Sequence, residues 1–164
     1  MSEFTVQQQE KNQWCWAAVA VSLKDYLTAG KGSSSQCALA MELLKVDGCC
    51  SDNLACDQQE GLKAALIQLQ VMNSDVALIP HPLTFQEIRQ VVDAGWPIPV
   101  RIEWEGNPGN AHFVVLSGYR ASAIPQVRVE DPFYGTSIVD YGIFVDGYRD
   151  SGIWRQTYPI WKGK

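Results

Sequence analysis

Gln9-Glu10-Lys11-Asn12-Gln13-Trp14-Cys15-Trp16-Ala17-Ala18 is the stretch from which the fold can be read. Trp16, Val19, Ala20, Leu23 and Leu27 then recur at spacings of three and four, the period of an apolar helix face, and Asn12 stands upstream as its N-cap. That reading puts Cys15 in the first helical turn, where backbone N–H groups lack intrahelical partners and the positive end of the macrodipole favours negative charge. The thiolate is the reactive form of a cysteine, so Cys15 is a candidate nucleophile. Taken alone, a cysteine in a Trp-flanked apolar helix is more often a small buried packing residue.

Downstream, Thr28-Ala29-Gly30-Lys31-Gly32-Ser33 ends this helix. Ser35 caps a second helix through Ala38, Leu39, Met41, Leu43 and Leu44. The stretch from Val46 to Cys56 is too rich in polar turn formers for regular structure, and a third helix is predicted from Asp57, with Glu60 as its capping-box partner, through Leu62, Leu66 and Leu69. Val76 to Ile79 reads as a short strand. Thr84 and Glu87 form a second capping-box signal for a helix through Phe85, Ile88, Val91 and Val92 to Gly95.

From Pro97 onward the pattern switches to strands: Ile98 to Trp104, Ala111 to Tyr119, Gln126 to Glu130, Thr136 to Tyr141 and Ile153 to Ile160. Turn clusters such as Gly106-Asn107-Pro108-Gly109-Asn110 separate them. Helices followed by strands predict an α+β fold, with an N-terminal helical part packed on a C-terminal antiparallel β-sheet. The helical part would cover about 10–95 and the sheet part about 96–164 of one domain spanning 1–164. A helix of one part facing a strand of the other makes a natural cleft, and it lets Cys15 meet residues far along the chain.

Of the 164 residues, 46% are apolar and 19% charged, the balance of an ordinary globular protein. The net charge of −5, without a cluster of Lys and Arg, makes nucleic acid a poor partner, because phosphate neutralisation needs a basic surface. The apolar runs, near Trp14 to Leu23 and Phe113 to Leu116, fall far short of the roughly 20 residues that span a bilayer, so no membrane partner is expected. Met1 to Gln7 has no basic segment followed by an apolar core, the pattern of a secretory signal.

Two later segments bear on Cys15. Ala111-His112-Phe113-Val114-Val115-Leu116 opens a strand-like run on a histidine, and Val127-Arg128-Val129-Glu130-Asp131-Pro132 ends one on an aspartate. Cysteine, histidine and carboxylate in that order make a nucleophile, a base and a group that orients the base. Each has a plainer role too: a satisfied strand histidine for His112, a turn carboxylate before Pro132 for Asp131. The other histidine, His81, lies between prolines and offers no comparable placement.

Gln13-Trp14-Cys15-Trp16-Ala17-Ala18 with Gln9, Asn110-Ala111-His112-Phe113-Val114-Val115-Leu116-Ser117-Gly118-Tyr119, and Val129-Glu130-Asp131-Pro132 together resemble the papain-like cysteine peptidases of bacteria, over nearly the whole chain. The nearest likeness is to effector proteases that bacteria deliver into other cells, with the bacteriocin-leader peptidases more distant. The resemblance implies a papain-like fold, with Cys15 as nucleophile, His112 as general base and acid, and Asp131 orienting the imidazole, where many papain-like enzymes use Asn. It also implies an oxyanion-hole amide from the glutamine six residues before the nucleophile, which is Gln9; a one-residue change of the loop would pass that role to Gln8. No cofactor or metal is called for. The implied partners are a protein or peptide substrate and a cognate inhibitor protein that protects the producing cell. The implied location is outside the producer or inside a target cell, reached without a signal peptide, the cytoplasm being the alternative. Amidase or acyltransferase chemistry, or a peptide-binding module without turnover, are the competing functions. Trp14, Trp16, Trp96 and Trp104 are candidate cleft residues, although tryptophan more often fills cores.

Cys37, Cys49, Cys50 and Cys56 lie apart from these motifs and allow three pairings. A bridge between the adjacent Cys49 and Cys50 needs a strained geometry, which favours two bridges from that pair to Cys37 and Cys56. A four-thiolate zinc site lacks the usual two-residue spacer, and four reduced thiols remain the default in a cytosol.

Overall fold

The computed structural model describes residues 3–32 and 34–162. Met1, Ser2, Ser33, Gly163 and Lys164, which include the ends of the predicted domain and one residue of the predicted loop, lie outside the described residues.

The first helix, α1, is Cys15–Leu27, and every residue from Cys15 to Leu23 is buried. Over these residues it is buried all round rather than on one face, as befits a helix at the centre of a core, and its one polar side chain there, Ser22, is hydrogen-bonded to the Ala18 carbonyl. Ala17, Ala18 and Ala20 have no exposed surface and let the neighbouring elements close on it. Its N-cap is Trp14, without a side-chain cap, and not Asn12. The Asn12 carbonyl is engaged instead by the Gln9 side chain, so the turn before Cys15 is held from outside the helix.

Helix α2, Gln36–Leu44, is capped by Ser35 as its sequence predicts. Helix α3 is Leu62–Gln68 and starts at Gly61, not at Asp57. Asp57 spends its carboxylate on the N–H of Gln13, 2.7 Å away, and Glu60 bonds the N–H of Gly61, so the predicted capping box does not form. Helix α4, Phe85–Asp93, has both halves of its Thr84–Glu87 capping box. The predicted strand at Val76 to Ile79 reduces to a bridge between Ile79 and Thr157.

Five strands form one antiparallel sheet: β1 Ile98–Trp104, β2 Ala111–Arg120, β3 Gln126–Asp131, β4 Gly135–Asp140 and β5 Gly152–Thr157, in the order β4-β3-β2-β1-β5. Tyr141 does not extend β4 but opens a short helix, α5 Tyr141–Asp146, which the strand pattern hid because six residues are too few to display a helical period. The central strand β2 is apolar on both faces. Phe113 and Val115 enter the core around α1, while Val114 and Leu116 join Ile98, Val100, Ile102, Val127 and Val129 in a second core covered by Ile88 of α4 and Phe144 of α5. Because α1 also packs on β2, the head of α1 comes to the start of β2.

Two disulfides, Cys37–Cys50 and Cys49–Cys56, close loops within the helical part and leave Cys15 as the free cysteine. The adjacent pair thus bridges outward to both flanking cysteines, which leaves no thiolates for the zinc alternative.

Candidate active site

Cys15 stands first in α1 and is buried, with 6% of its surface exposed. Its loop is tied down on both sides: the indole of Trp14 donates to the Cys56 carbonyl at 2.7 Å and that of Trp16 to the Gln58 carbonyl at 3.0 Å. These tryptophans are core anchors with a satisfied polar tip. Trp16 also reaches the wall of the cleft, as Trp104 does, whereas Trp96 packs against the helical core.

His112 lies second in β2, in register with Ile102 of β1, and is 8% exposed. Its Nε2 donates to Oδ1 of Asp131 at 2.8 Å, and its ring also hydrogen-bonds the Cys15 thiol. With Nε2 taken by the carboxylate, Nδ1 is the nitrogen left for sulfur. Trp104 stacks on the imidazole at 5.9 Å and 21°, and Tyr134 meets it edge-on at 6.3 Å, which fixes the plane of the ring. Burial disfavours a charged imidazole, but the bonds to Asp131 and Cys15 outweigh it and push His112 up to about 9.

Asp131 ends β3 and is 1% exposed. Its Oδ1 also accepts the N–H groups of Phe133 and Tyr134, at 2.8 and 3.0 Å, so the plain turn role and the pairing with His112 are both present on one oxygen. Its Oδ2 accepts the Tyr148 hydroxyl at 2.7 Å. Burial opposes its charge, and the bond and charge of His112 together with Tyr148 and Tyr134 more than compensate, so the carboxyl lies below its ordinary range.

Gln9 is placed differently. Its Nε2 donates to the carbonyls of Lys11 and Asn12, at 3.0 and 2.7 Å, and its Oε1 is buried without a hydrogen-bond partner. Both amide hydrogens therefore brace the loop that carries Cys15. Gln8 lies apart from it and lines a different pocket beside Pro132. His81, bonded to the adjacent Pro82 carbonyl, is exposed and belongs to no such cluster.

A cleft runs past Cys15 in two directions. One arm, a pocket of about 330 Å³, is lined by Trp16, Gln59, Glu60, Arg101 and Phe113. The other is lined by Gln13, Asn110 and His112, with Trp104, Phe133 and Tyr134 on the sheet side. Gln59 sits where the arms meet and bridges Gln13 to Asn110, at 3.0 and 3.1 Å, joining the helical part to the sheet part. A free thiol bonded to an imidazole, itself bonded to a buried carboxylate, on the floor of an open cleft can form and resolve a covalent adduct.

Residues 2–143 match the family model of the papain-like cysteine protease AvrRpt2. The chain belongs to this family. It is therefore an enzyme acting on peptide bonds, a cysteine protease with an α+β fold of five antiparallel strands and packed helices. No curated protein matches the chain. The protease holds Cys15, His112 and Asp131 together, and it keeps Gln9 in the loop beside them. No sequence signal marks Gln59, which sits in a stretch with a helical pattern, or Tyr148, which lies in a turn-rich stretch without a period. No helix of the described residues is long and apolar enough to cross a membrane.

Proposed function

We propose that this protease is an endopeptidase that cuts a specific protein target through Cys15, His112 and Asp131, in a single papain-like domain whose helical part, about 10–95, supplies the nucleophile and whose sheet part, about 96–164, supplies the base. One observation carries the reading: the imidazole of His112 bonds the free Cys15 thiol on one side and, at 2.8 Å, the buried Asp131 carboxylate on the other.

In this reading His112 holds the proton of Cys15, and the sulfur attacks the scissile carbonyl carbon to form a C–S bond, with the electron pair moving to oxygen. The N–H groups at the head of α1 face the developing charge. As the tetrahedral species collapses, His112 Nδ1 gives its proton to the departing amine, the C–N bond breaks, and a thioester remains. A water that loses its proton to His112 then attacks the thioester, and the C–S bond breaks to release the acid. Asp131 keeps the imidazole in the tautomer and plane these transfers need. Gln9 contributes its amide to the oxyanion once substrate displaces one of its two loop carbonyls.

The family match to an effector protease supports delivery into another cell as the setting, with an inhibitor protein guarding the producer. The test exposes a target-cell proteome to the enzyme and to Cys15→Ala and maps new N-termini. A small set of cuts made only by the unmodified enzyme is expected. Equal cutting by Cys15→Ala would overturn the mechanism, and widespread cutting would overturn the claim of a specific target.

A further inference from the structure

Asp131 is held at both of its oxygens. Three donors converge on Oδ1, the imidazole of His112 and two backbone N–H groups, whereas Oδ2 accepts the Tyr148 hydroxyl at 2.7 Å. Both side chains are buried, each residue retaining 1% of its surface. One anchored oxygen leaves a carboxylate free to swing about that point; two anchored oxygens define its plane. We propose that Tyr148 is a positioning residue of the hydrolytic site, pinning Oδ2 so that Oδ1 stays in line with His112. The proposal rests on the triad reading above, and it assigns a role to a residue beyond the 2–143 stretch that matches the family model.

The local fold is built to put that hydroxyl in one place. Tyr148 and Gly152 exchange both backbone hydrogen bonds, at 2.9 and 2.7 Å, and close a tight hairpin. Arg149 and Asp150 inside it have φ of 51° and 75°, a left-handed conformation that non-glycine residues adopt only where their surroundings compel it. A Cβ on Gly152 would stand 2.6 Å from the Tyr148 carbonyl oxygen and 2.8 Å from Ile102, so the hairpin can close against β1 only with glycine there. The ring of Phe144 packs edge-on against that of Tyr148 at 5.2 Å. A phenol clamped by core and hairpin loses little entropy when it bonds, which is the economy of preorganisation.

The groups that face Asp131 are His112 from β2, the N–H groups of Phe133 and Tyr134 from the following turn, and Tyr148 from the hairpin, while Arg149 lies over the Tyr134 and Tyr148 rings and Cys15 acts on Asp131 through His112. The neighbouring Glu130 is engaged elsewhere, by Ser117, Arg128 and Thr136. Burial, and the charge of Asp131, push the Tyr148 phenol well above its ordinary range, so it stays a donor at any working pH.

Tyr148→Phe keeps the ring and removes the donor. The expected result is a fall in kcat of about tenfold, the worth of one hydrogen bond to a charged group, with KM within about twofold. The proton on His112 Nε2, followed by NMR, should also exchange faster with water. Replacing Tyr148 by 3-fluorotyrosine preserves packing and strengthens the donor; it draws charge from the carboxylate, loosens its hold on the imidazolium proton and moves the alkaline limb of kcat/KM to lower pH. An unchanged kcat and pH profile in both proteins overturns the positioning role, and if Tyr148→Phe does not fold, the fluorotyrosine enzyme alone decides. Asp131→Ala, assayed alongside, separates the two readings: wild-type turnover there defeats the triad itself, whereas its loss with an indifferent Tyr148 defeats only this inference.

Discussion

Around Cys15 the chain is held by covalent staples and by a helix buried on all sides, whereas around His112 it is held by strand register and a chain of hydrogen bonds. The disulfides close loops of 13 and 7 residues' separation, and the loop they shape supplies the Cys56 carbonyl and the Asp57 carboxylate that grip Trp14 and Gln13. On the sheet side no covalent link exists among the described residues; His112 is fixed by its pairing with Ile102, by stacking on Trp104 and by Asp131. The contrast suits the mechanism proposed for the two sides. A nucleophile must be set at a depth, which rigid packing provides, while a base must turn one nitrogen to sulfur and keep the other on oxygen, which needs directional bonds.

The largest effect should come from removing either partner. Cys15→Ala and His112→Ala are each expected to lower turnover by about 10⁴-fold or more, with melting curves that still show a folded protein, since groups acting as a unit fail together. Near-normal hydrolysis by either variant would break the comparison at its root, because the two regions would then not meet in one reaction.

Next is Gln9→Ala, expected to cost about 10²-fold in kcat if the amide reaches the oxyanion. Alkylation of Cys15 by iodoacetamide should proceed at a near-native rate, as no oxyanion forms in that reaction. Slow alkylation would instead show that Gln9 serves to brace the Lys11–Asn12 loop. Gln8→Ala should change little; a reversal between the two would move the register by one.

Asp131→Asn should be milder, about tenfold, as the amide carbonyl can keep the donors on Oδ1 and the Tyr148 hydroxyl can rotate to accept from the new N–H group. Losing the charge should also move the alkaline limb of kcat/KM downward from about 9, the value at which His112 now releases its proton. A limb that stays in place would mean that charge on the sheet side is idle.

Opening the staples should affect stability more than chemistry. Each disulfide of this loop size contributes about 2–3 kcal/mol by constraining the unfolded chain. Cys49→Ser with Cys56→Ser should lower the melting temperature and raise amide exchange between Cys49 and Asp57, leaving exchange in β1 to β3 unchanged. Equal loosening of the sheet would erase the distinction between the two regions.

A last effect is a dependence of stability on pH. His112 gains a proton more readily folded, since about 9 exceeds its ordinary 6.5, so its contribution to stability is complete below about 6.5 and is lost as pH rises through about 9. Asp131, held below its ordinary 3.8, contributes above that value and loses its contribution on acidification. A decline in wild-type melting temperature between pH 6.5 and 9 that is absent in His112→Ala is the expected signature.

Sequence signals hold wherever the physics is local. Ser35 and the Thr84–Glu87 box act within one turn, and both caps form where the residues stand. Signals failed where a distant partner took the group. Asp57 and Glu60 have the spacing of a capping box, yet the demand of the Gln13 N–H for an acceptor, 44 residues back along the chain, diverts Asp57, and α3 starts only at Leu62. Asn12 does not cap α1 either: the helix starts two residues later, after Trp14, and the main-chain carbonyl of Asn12 accepts from Gln9.

By itself the sequence determined the α+β order and the antiparallel strands, and it offered Cys15, His112 and Asp131 as a candidate set, because periodicity, caps and reactive side chains are properties of residues and their near neighbours. Only the tertiary structure decided which cysteines pair, that Gln9 rests on the Lys11 and Asn12 carbonyls, that Gln59 spans the cleft, and that Tyr148 completes the shell of Asp131. Each of these depends on where a donor far along the chain comes to lie. Hydrogen bonds and disulfides act over a few ångströms, and no spacing along the sequence states those distances before the sheet and the helices have closed on one another.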